Sequence, residues 1–267
     1  MKSIVIAMLL LQGAAAPVAA PLTPSGKWVV EYGDSDCVLS RDFGTGSART
    51  TVGFKPSPFG DSVEIVTMTA GAKSGYRNAK AKLTLQPSGF TAENDASIYG
   101  LKDKDVTLTT FIAQGAAVAN LQTSTGVALT EDAGPGTNIA VPDMKKAFGA
   151  LKVCQVDLVK RWGVDPGELD RVAVLATPLS PERWITHADY PAEALKDRQQ
   201  GTSRIMWAIG TTGRVSDCKV VQSSGSAALD GASCLLIARR GRYKPALGID
   251  DEPVPTHAMR KVIWRLP

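Results

Sequence analysis

The residues of this chain best suited to chemistry are its four cysteines, Cys37, Cys154, Cys218 and Cys234. Cysteine and histidine side chains bind structural zinc, usually with two cysteines close together in a C-x-x-C pair. The chain has no such pair and only two histidines, so we expect no zinc site. Two disulfides are the simpler expectation for an exported chain, and four cysteines can pair in three ways.

Other residue patterns that could support catalysis or metal binding are weak. The segment GAKSG around Lys73 superficially resembles a phosphate-binding loop, but the glycine that opens that motif is missing. Two D-x-D pairs, at 34–36 and 103–105, offer too few oxygen ligands for calcium. We expect His187 and His257 at the surface beside a sheet, and neither G-x-S-x-G nor H-E-x-x-H is present. The sequence therefore predicts no enzyme, no cofactor and no small-molecule substrate, with a hydrolase in the N-terminal part as the alternative.

The first 20 residues, MKSIVIAMLLLQGAAAPVAA, contain one lysine, an apolar run and then small residues. This is the order of regions in a secretory signal peptide, and the apolar run is shorter than the roughly 20 residues that cross a bilayer. We therefore expect residues 1–20 to be cleaved and the mature protein to lie outside the cytoplasm. The exact cleavage site stays open, because prolines follow two of the alanine sites. Retention of the segment as a membrane anchor is the alternative.

The formal net charge of +4 is concentrated in the C-terminal third. From Pro178 onward the chain has 13 basic and 9 acidic residues, whereas the part before it is balanced. Nucleic-acid-binding domains carry a larger basic excess, so we expect no nucleic-acid partner. The small excess is consistent with a mild attraction to anionic surfaces or partners.

Residues 21–163 are predicted to form an antiparallel, β-rich domain that ends with one helix. Runs rich in β-branched and aromatic residues, such as KWVVEY, SVEIVTMT and DVTLTTFIA, alternate with turns rich in Gly, Pro, Asn and Asp. The helix is expected to begin after a cap at Asp143 and to end at Gly163. Cys154 lies three residues after Leu151 on the apolar stripe of this helix, so it is expected to face the β-rich part.

A linker or a short ordered bridge at 164–182 is predicted to lead to a small second domain at 183–267. The element order of this domain is helix, strand, strand, helix, strand, with a short helix that ends at Gly201 and a tight turn at Gly213. The chain as a whole is therefore predicted to be α+β, with a β-rich domain followed by an αββαβ domain.

The predicted elements favour one pairing of the cysteines. Cys154 on the helix stripe faces the β-rich part that contains Cys37. Cys218 lies on the apolar face of a predicted hairpin, and Cys234 lies on the helix that must cover that face. We therefore favour the bonds Cys37–Cys154 and Cys218–Cys234. For Cys37 and Cys154, two buried free thiols are the alternative.

Five short motifs in the C-terminal third occur in a recognisable order. They are Tyr190-Pro191-Ala192, Gly201, Gly213-Arg214-Val215, Ser223-Ser224-Gly225 and Arg242-Tyr243-Lys244-Pro245-Ala246. With the alternating strand that follows them, these motifs resemble the TonB family C-terminal domain over roughly the last 80 residues. The preceding β-rich part resembles no family that we can name.

The resemblance implies a periplasmic binding module. Family members present an exposed sheet edge, and an extended segment of an outer-membrane receptor, the TonB box, pairs with that edge by strand addition. By this analogy the edge is the last strand, which comprises Ala258, Met259, Arg260, Lys261, Val262, Ile263, Trp264, Arg265 and Leu266. The second contact with the partner comprises Ile185, Thr186, His187, Ala188, Asp189, Tyr190 and Pro191.

Other functions of the same strand stay open. It is either a partner-binding edge or an ordinary edge blunted by Arg260, Lys261 and Arg265, and it could also pair with its own copy in a homodimer. An exported envelope scaffold or regulatory protein is therefore the alternative to a receptor-binding protein linked to TonB-dependent transport. Energy-transducing family members have a membrane anchor and a Pro-rich spacer, and here a folded domain replaces the spacer.

The basic residues at the C-terminal end of the last predicted helix have two interpretations. Arg239, Arg240, Arg242 and Lys244 either attract an acidic partner or are solvated cations placed favourably at a helix C-terminus.

Overall fold

The computed structural model of the chain describes residues 20–71, 75–132 and 136–266. The predicted signal segment, apart from residue 20, lies outside these residues, as does the centre of the GAKSG segment. The fold is of the predicted α+β class, with an antiparallel β-rich unit followed by a small α/β unit.

The N-terminal part forms a nine-stranded antiparallel sheet. Its strands are β1 (Val29–Tyr32), β2 (Cys37–Phe43), β3 (Thr50–Pro56), β4 (Val63–Ala70), β5 (Tyr76–Gln86), β6 (Thr91–Leu101), β7 (Val106–Ala113), β8 (Gly126–Glu131) and β9 (Thr137–Ala140). Their spatial order is β1-β2-β3-β4-β7-β6-β5-β8-β9. Short 3-10 turns at Gly46–Ala48 and Lys102–Lys104 lie between strands.

The segment 22–25 closes this sheet into a barrel. On one side it bonds to β9, where Leu22 N donates to Asn138 O at 2.8 Å and Ala140 N donates to Leu22 O at 2.9 Å. On the other side it bonds to the end of β2, where Ser25 N donates to Asp42 O at 2.9 Å. A closed barrel has no free edges. We call residues 20–163 the barrel unit.

Alternate side chains fill the barrel. Two helices, α1 (Ala117–Gln122) and α2 (Met144–Arg161), cover its opening. The stripe of α2 that contains Leu151 and Leu158 is buried against the strands, as predicted. Asp143 occupies the N-cap position, but its side chain makes no capping hydrogen bond, contrary to our expectation.

The predicted linker, 164–182, is ordered in the structure. It contains α3 (Pro166–Asp170), the two-residue strand β10 (Thr177–Pro178) and a 3-10 turn at Pro181–Arg183. β10 pairs with Tyr243 and Lys244, and Val174 bridges to Leu247. These main-chain bonds attach the segment to the part of the chain that follows it.

The C-terminal unit, residues 183–266, has the predicted αββαβ order. Its main elements are α4 (Ala192–Lys196), β11 (Gly201–Ile209), β12 (Val215–Gln222), α5 (Ala227–Arg240) and β16 (Thr256–Trp264). Two-residue strands β13 (Tyr243–Lys244), β14 (Ala246–Leu247) and β15 (Pro253–Val254) lie between α5 and β16. The three long strands form one antiparallel sheet in the order β12-β11-β16.

One face of this sheet packs against α5. Ile205, Trp207 and Ile209 of β11 alternate onto this face, as predicted, and they contact Leu229 and Ile237 of the helix. Burial of large apolar side chains of this kind contributes about 1.5–3 kcal/mol each. The start of α5 is fixed by Ser226, whose Oγ accepts a hydrogen bond from Leu229 N.

A buried carboxylate ties the start of α5 to the sheet. Asp230 accepts hydrogen bonds from the hydroxyl groups of Ser203 and Ser223 and from the backbone N–H of Ser224. Burial alone raises the pKa of Asp230, but these donors outweigh it and hold the pKa below its usual value. The negative charge near the helix N-terminus is also favourable for the helix dipole.

Both predicted disulfides are confirmed. Cys37 of β2 is bonded to Cys154 of α2, with Cα atoms 6.1 Å apart. Cys218 of β12 is bonded to Cys234 of α5, with Cα atoms 5.5 Å apart. The first bond connects the barrel wall to the helix that covers it, and the second connects the sheet of the C-terminal unit to its helix.

The two disulfides are expected to contribute unequally to stability. The sequence separations they span are 117 and 16 residues, which the chain-entropy model converts to about 4–5 and about 3 kcal/mol. We expect the double substitution Cys37→Ser with Cys154→Ser to lower the free energy of unfolding more than Cys218→Ser with Cys234→Ser. Urea unfolding followed by NMR signals from each unit measures both changes. A larger loss from the second pair would contradict the chain-entropy account.

Candidate functional site

The last long strand, β16, lies at an edge of the three-stranded sheet. Residues 256–264 pair with β11 in continuous register, from Thr256 opposite Ile209 to Trp264 opposite Gly201. Within the described part of the chain, no other strand pairs with β16. An edge strand has a row of main-chain N–H and C=O groups directed away from the sheet, so β16 has a free edge nine residues long.

The opposite edge of the sheet, formed by β12, is irregular. The pairing of β11 with β12 shifts register twice, between Arg204 and Ile205 and between Met206 and Ala208. Asp217 of β12 has a left-handed backbone with φ of 49°. Bulges interrupt the regular row of main-chain groups that a further strand needs. Of the two edges, β16 is therefore the better template for a further strand.

The predicted edge residues fall largely within β16. Residues 258–264 are in the strand, whereas Arg265 and Leu266 lie after its end and the strand begins at Thr256. Val262 and Trp264 are buried toward α5. Ile263, on the other face, is 55% exposed.

The predicted second contact, residues 185–191, is a rigid turn. His187–Asp189 form a 3-10 turn, and Asp189 accepts a hydrogen bond from Thr186 N at 2.9 Å. Arg240 of α5 donates to both carboxylate oxygens of Asp189, at 2.7 and 2.8 Å. This bidentate guanidinium, assisted by the Thr186 bonds, holds the pKa of Asp189 far below its usual value. Arg240 is thus occupied within the unit, which leaves less positive charge for an acidic partner.

The structure brings the two predicted contact regions together. The ring of Tyr190 packs edge-on against Trp264, with centroids 5.4 Å apart, and the Tyr190 hydroxyl donates to Gln199 O. Arg260 of β16 donates through Nη1 to Pro181 O at 3.0 Å. The turn at 185–191 is therefore fixed relative to the end of β16.

The sequence did not indicate that the barrel unit covers the second face of this sheet. Met206 of β11 and Met259 of β16 pack in an apolar cluster with Phe59, Val159 and Val164 of the barrel side. The alternation in β11 predicted a second face with Arg204 and Met206, but it carried no information about what that face contacts.

Polar contacts also connect the sheet to the barrel unit. Arg204 donates to Ser35 O at 2.9 Å and to Asp36 at 3.1 Å. Lys219 donates to Trp162 O at 2.9 Å. The interface therefore combines an apolar centre with charge-assisted hydrogen bonds, which are stronger than neutral ones.

The face of β16 directed toward the barrel contacts it through His257, Met259 and Lys261. The His257 ring lies 5.6 Å from that of Phe59, Met259 packs in the cluster that contains Phe59, and Lys261 Nζ lies 3.9 Å from Glu64. Just after the strand, the Arg265 guanidinium lies 5.9 Å from the Tyr76 ring. A cleft of about 520 Å³ lies between the two units, and its lining includes Met259, Arg260, Lys261, Glu64, Ile112 and Gln114.

The two histidines have different environments. His187 is exposed in its turn, whereas the side chain of His257 is 16% exposed between the units, not at the surface as expected. Burial is the main cause that lowers the pKa of His257, and the nearby cation Lys219 lowers it further. The carboxylates of Glu168 in α3, 3.8 Å away, and of Asp217 raise the pKa, but they do not outweigh burial. Neither ring is part of a group of three metal-binding side chains, since the described residues contain no such group.

Comparison with known proteins supports the resemblance. Residues 186–266 match the family model described as Gram-negative bacterial TonB protein C-terminal. The match covers the predicted C-terminal domain and not the barrel unit. No curated protein matches this chain. Among the described helices, none has the length and apolar character required to cross a membrane.

The environment of His257 predicts a pH dependence of stability. In the folded protein the pKa of His257 lies below the ordinary value of 6.5. As the pH falls below 6.5, the unfolded chain therefore binds more protons at this residue than the folded protein does. We therefore expect the free energy of unfolding to decrease as the pH falls from about 7.5 to about 5. The variant His257→Gln should lose this part of the slope.

His187→Gln is the matched control, because it removes the other, exposed histidine. It should keep the slope of the wild type in urea unfolding at several pH values. If His257→Gln and the wild type have the same slope, protonation of this ring is not coupled to folding.

Proposed function

We propose that this protein, whose C-terminal third matches the TonB C-terminal family, binds an extended peptide by strand addition to β16. The family match supports a role in protein–protein interaction. The partner that fits this role is a segment of an outer-membrane receptor, such as the TonB box, or of another envelope protein. The binding itself requires no catalytic residue, and we propose no enzymatic activity for the chain.

The observation that supports this proposal most directly is the regular free edge of β16. Nine consecutive residues keep one register with β11, so their outward N–H and C=O groups are evenly spaced for another strand. In strand addition these main-chain groups supply affinity, and side chains that alternate between the two faces supply selectivity. The predicted partner-binding residues 258–264 lie on this strand.

The turn at 185–191 is proposed as the second contact. Asp189 is bound by Arg240, and Tyr190 packs on Trp264, so the turn is held beside the end of β16.

We also propose the periplasm as the location of the mature protein. Two disulfides fit an exported chain, and the matched family belongs to the Gram-negative envelope. In this proposal residues 1–20 are a cleaved signal peptide, 21–163 form the β-rich domain, 164–182 form the connection and 183–267 form the binding domain. Whether the protein takes part in TonB-dependent transport depends on its partner.

A homodimer is the competing use of the same edge. The free groups of β16 can pair with a second copy of β16 as well as with a peptide. An envelope scaffold or regulatory protein would use the edge in this way.

A synthetic peptide that carries the TonB box of an outer-membrane receptor tests strand addition. In an antiparallel or parallel pair, alternate amides of the added strand donate to the neighbouring strand. We therefore expect N-methylation of one alternate set of peptide amides to weaken binding at least about ten-fold. N-methylation of the other set, which leaves the same side chains, should have little effect. Fluorescence anisotropy with the full chain measures both affinities.

Equal effects of the two N-methylated peptides would contradict strand addition. Sedimentation equilibrium without peptide tests the competing use of the edge. A stable dimer that does not dissociate when peptide is added would favour the scaffold function.

A further inference from the structure

The barrel unit extends beneath the space next to β16. Arg204 of β11 and Lys261 of β16 are cross-strand partners on the same face. Arg204 contacts Asp36, which directly precedes β2, and Lys261 contacts Glu64 of β4. The part of the barrel wall from the start of β2 to β4, with β3 between them, therefore contacts β11 and β16.

The cleft beside β16 shows which barrel residue an added strand would meet. Glu64, the barrel contact of Lys261, pairs across β4 and β7 with Ile112. Ile112 lines the cleft together with Met259, Arg260 and Lys261 of β16. A strand added to the free edge of β16 would therefore border the cleft that Ile112 lines.

Ile112 is accessible to such a strand. Its side chain is 47% exposed, and it is the second-to-last residue of β7. An isolated exposed isoleucine is ordinary on a protein surface, but this one lies beside the one regular sheet edge of the C-terminal unit in the described chain. An apolar side chain of an added strand that points toward the barrel would cover it.

The charges in the cleft favour an apolar side chain over a basic one. Lys55 and Arg204 contact Asp36 at 3.5 and 3.1 Å, and Lys261 contacts Glu64 at 3.9 Å. Both carboxylates in the cleft lining are therefore paired with cations. A basic peptide side chain placed over Ile112 would lose water without gaining an unpaired carboxylate.

We propose that the barrel unit forms part of the peptide site, and that Ile112 selects an apolar residue in an extended partner segment. This proposal rests on strand addition at β16. It assigns to the barrel unit a direct contact with the partner, through the peptide side chains that point away from α5. The C-terminal unit supplies the main-chain template, and the barrel unit supplies part of the selectivity.

The test uses a phage-displayed library of random linear nonapeptides, selected on the full chain. The wild type should enrich an apolar residue at one fixed position of the selected peptides. The variant Ile112→Asp should bind those peptides at least about ten-fold more weakly, and selection on it should favour Lys or Arg at that position. The aspartate is accommodated at this exposed site, so the fold should be retained and is checked by circular dichroism.

Val29→Asp is the matched control. Val29 is also an exposed β-branched residue on a strand of the barrel unit, 51% exposed, and it is not among the residues that line the cleft. Its peptide affinities and preferences should stay within about two-fold of the wild type. A photo-crosslinking amino acid at position 112 should also form a covalent adduct with a selected peptide.

The outcomes separate this proposal from the proposed function. In one outcome, N-methylation of only one alternate set of amides weakens binding of the selected peptides, yet these peptides bind Ile112→Asp as well as the wild type and their preferences are unchanged. Strand addition then stands, and the proposed role of Ile112 is wrong. If the two alternate sets of N-methylated amides affect the binding of every selected peptide equally, strand addition at β16 is wrong. The proposed role of Ile112 is then overturned with it.

Discussion

The arrangement of this protein depends on the coverage of both faces of one small sheet. The three strands β12, β11 and β16 are covered by α5 on one face and by the barrel unit on the other. A sheet covered in this way keeps the hydrogen-bonding capacity of its edges available. Because β12 is bulged, that capacity is concentrated along β16.

The contacts that hold the two units together also shape the surroundings of the free edge. Apolar packing around Met206 contributes the hydrophobic part of the interface, and Arg204 and Lys219 add directional bonds. These contacts place the barrel wall next to β16. Preorganisation of both walls reduces the entropy that a peptide must lose when it binds.

Much of the C-terminal unit could be predicted from its sequence. The alternation through Ile205, Trp207 and Ile209 indicated a strand with one face in the core, and the position of Cys218 and Cys234 relative to the hairpin indicated their bond. These inferences depend on local periodicity and on short-range geometry. For the same reason, the family motifs of this unit could be recognised without a structure.

The rest depends on contacts between distant parts of the chain. Lys261 and Glu64 are nearly 200 residues apart, and no local pattern specifies which strand of a barrel lies under which edge. The closing segment around Leu22 also escaped prediction, because the prolines on both sides of it give no strand pattern. The burial of His257 has the same origin, since its neighbours Phe59 and Glu168 belong to other elements.

The most direct test of this account is amide hydrogen exchange along Thr256–Trp264 in the full chain, with and without a TonB-box peptide. In the free protein, amides that bond to β11 should exchange slowly, and the alternating amides at the free edge should exchange quickly. Bound peptide should slow the alternating set specifically. Uniformly slow exchange in the free protein, or protection by the peptide at another element without a change in β16, would contradict strand addition at this edge.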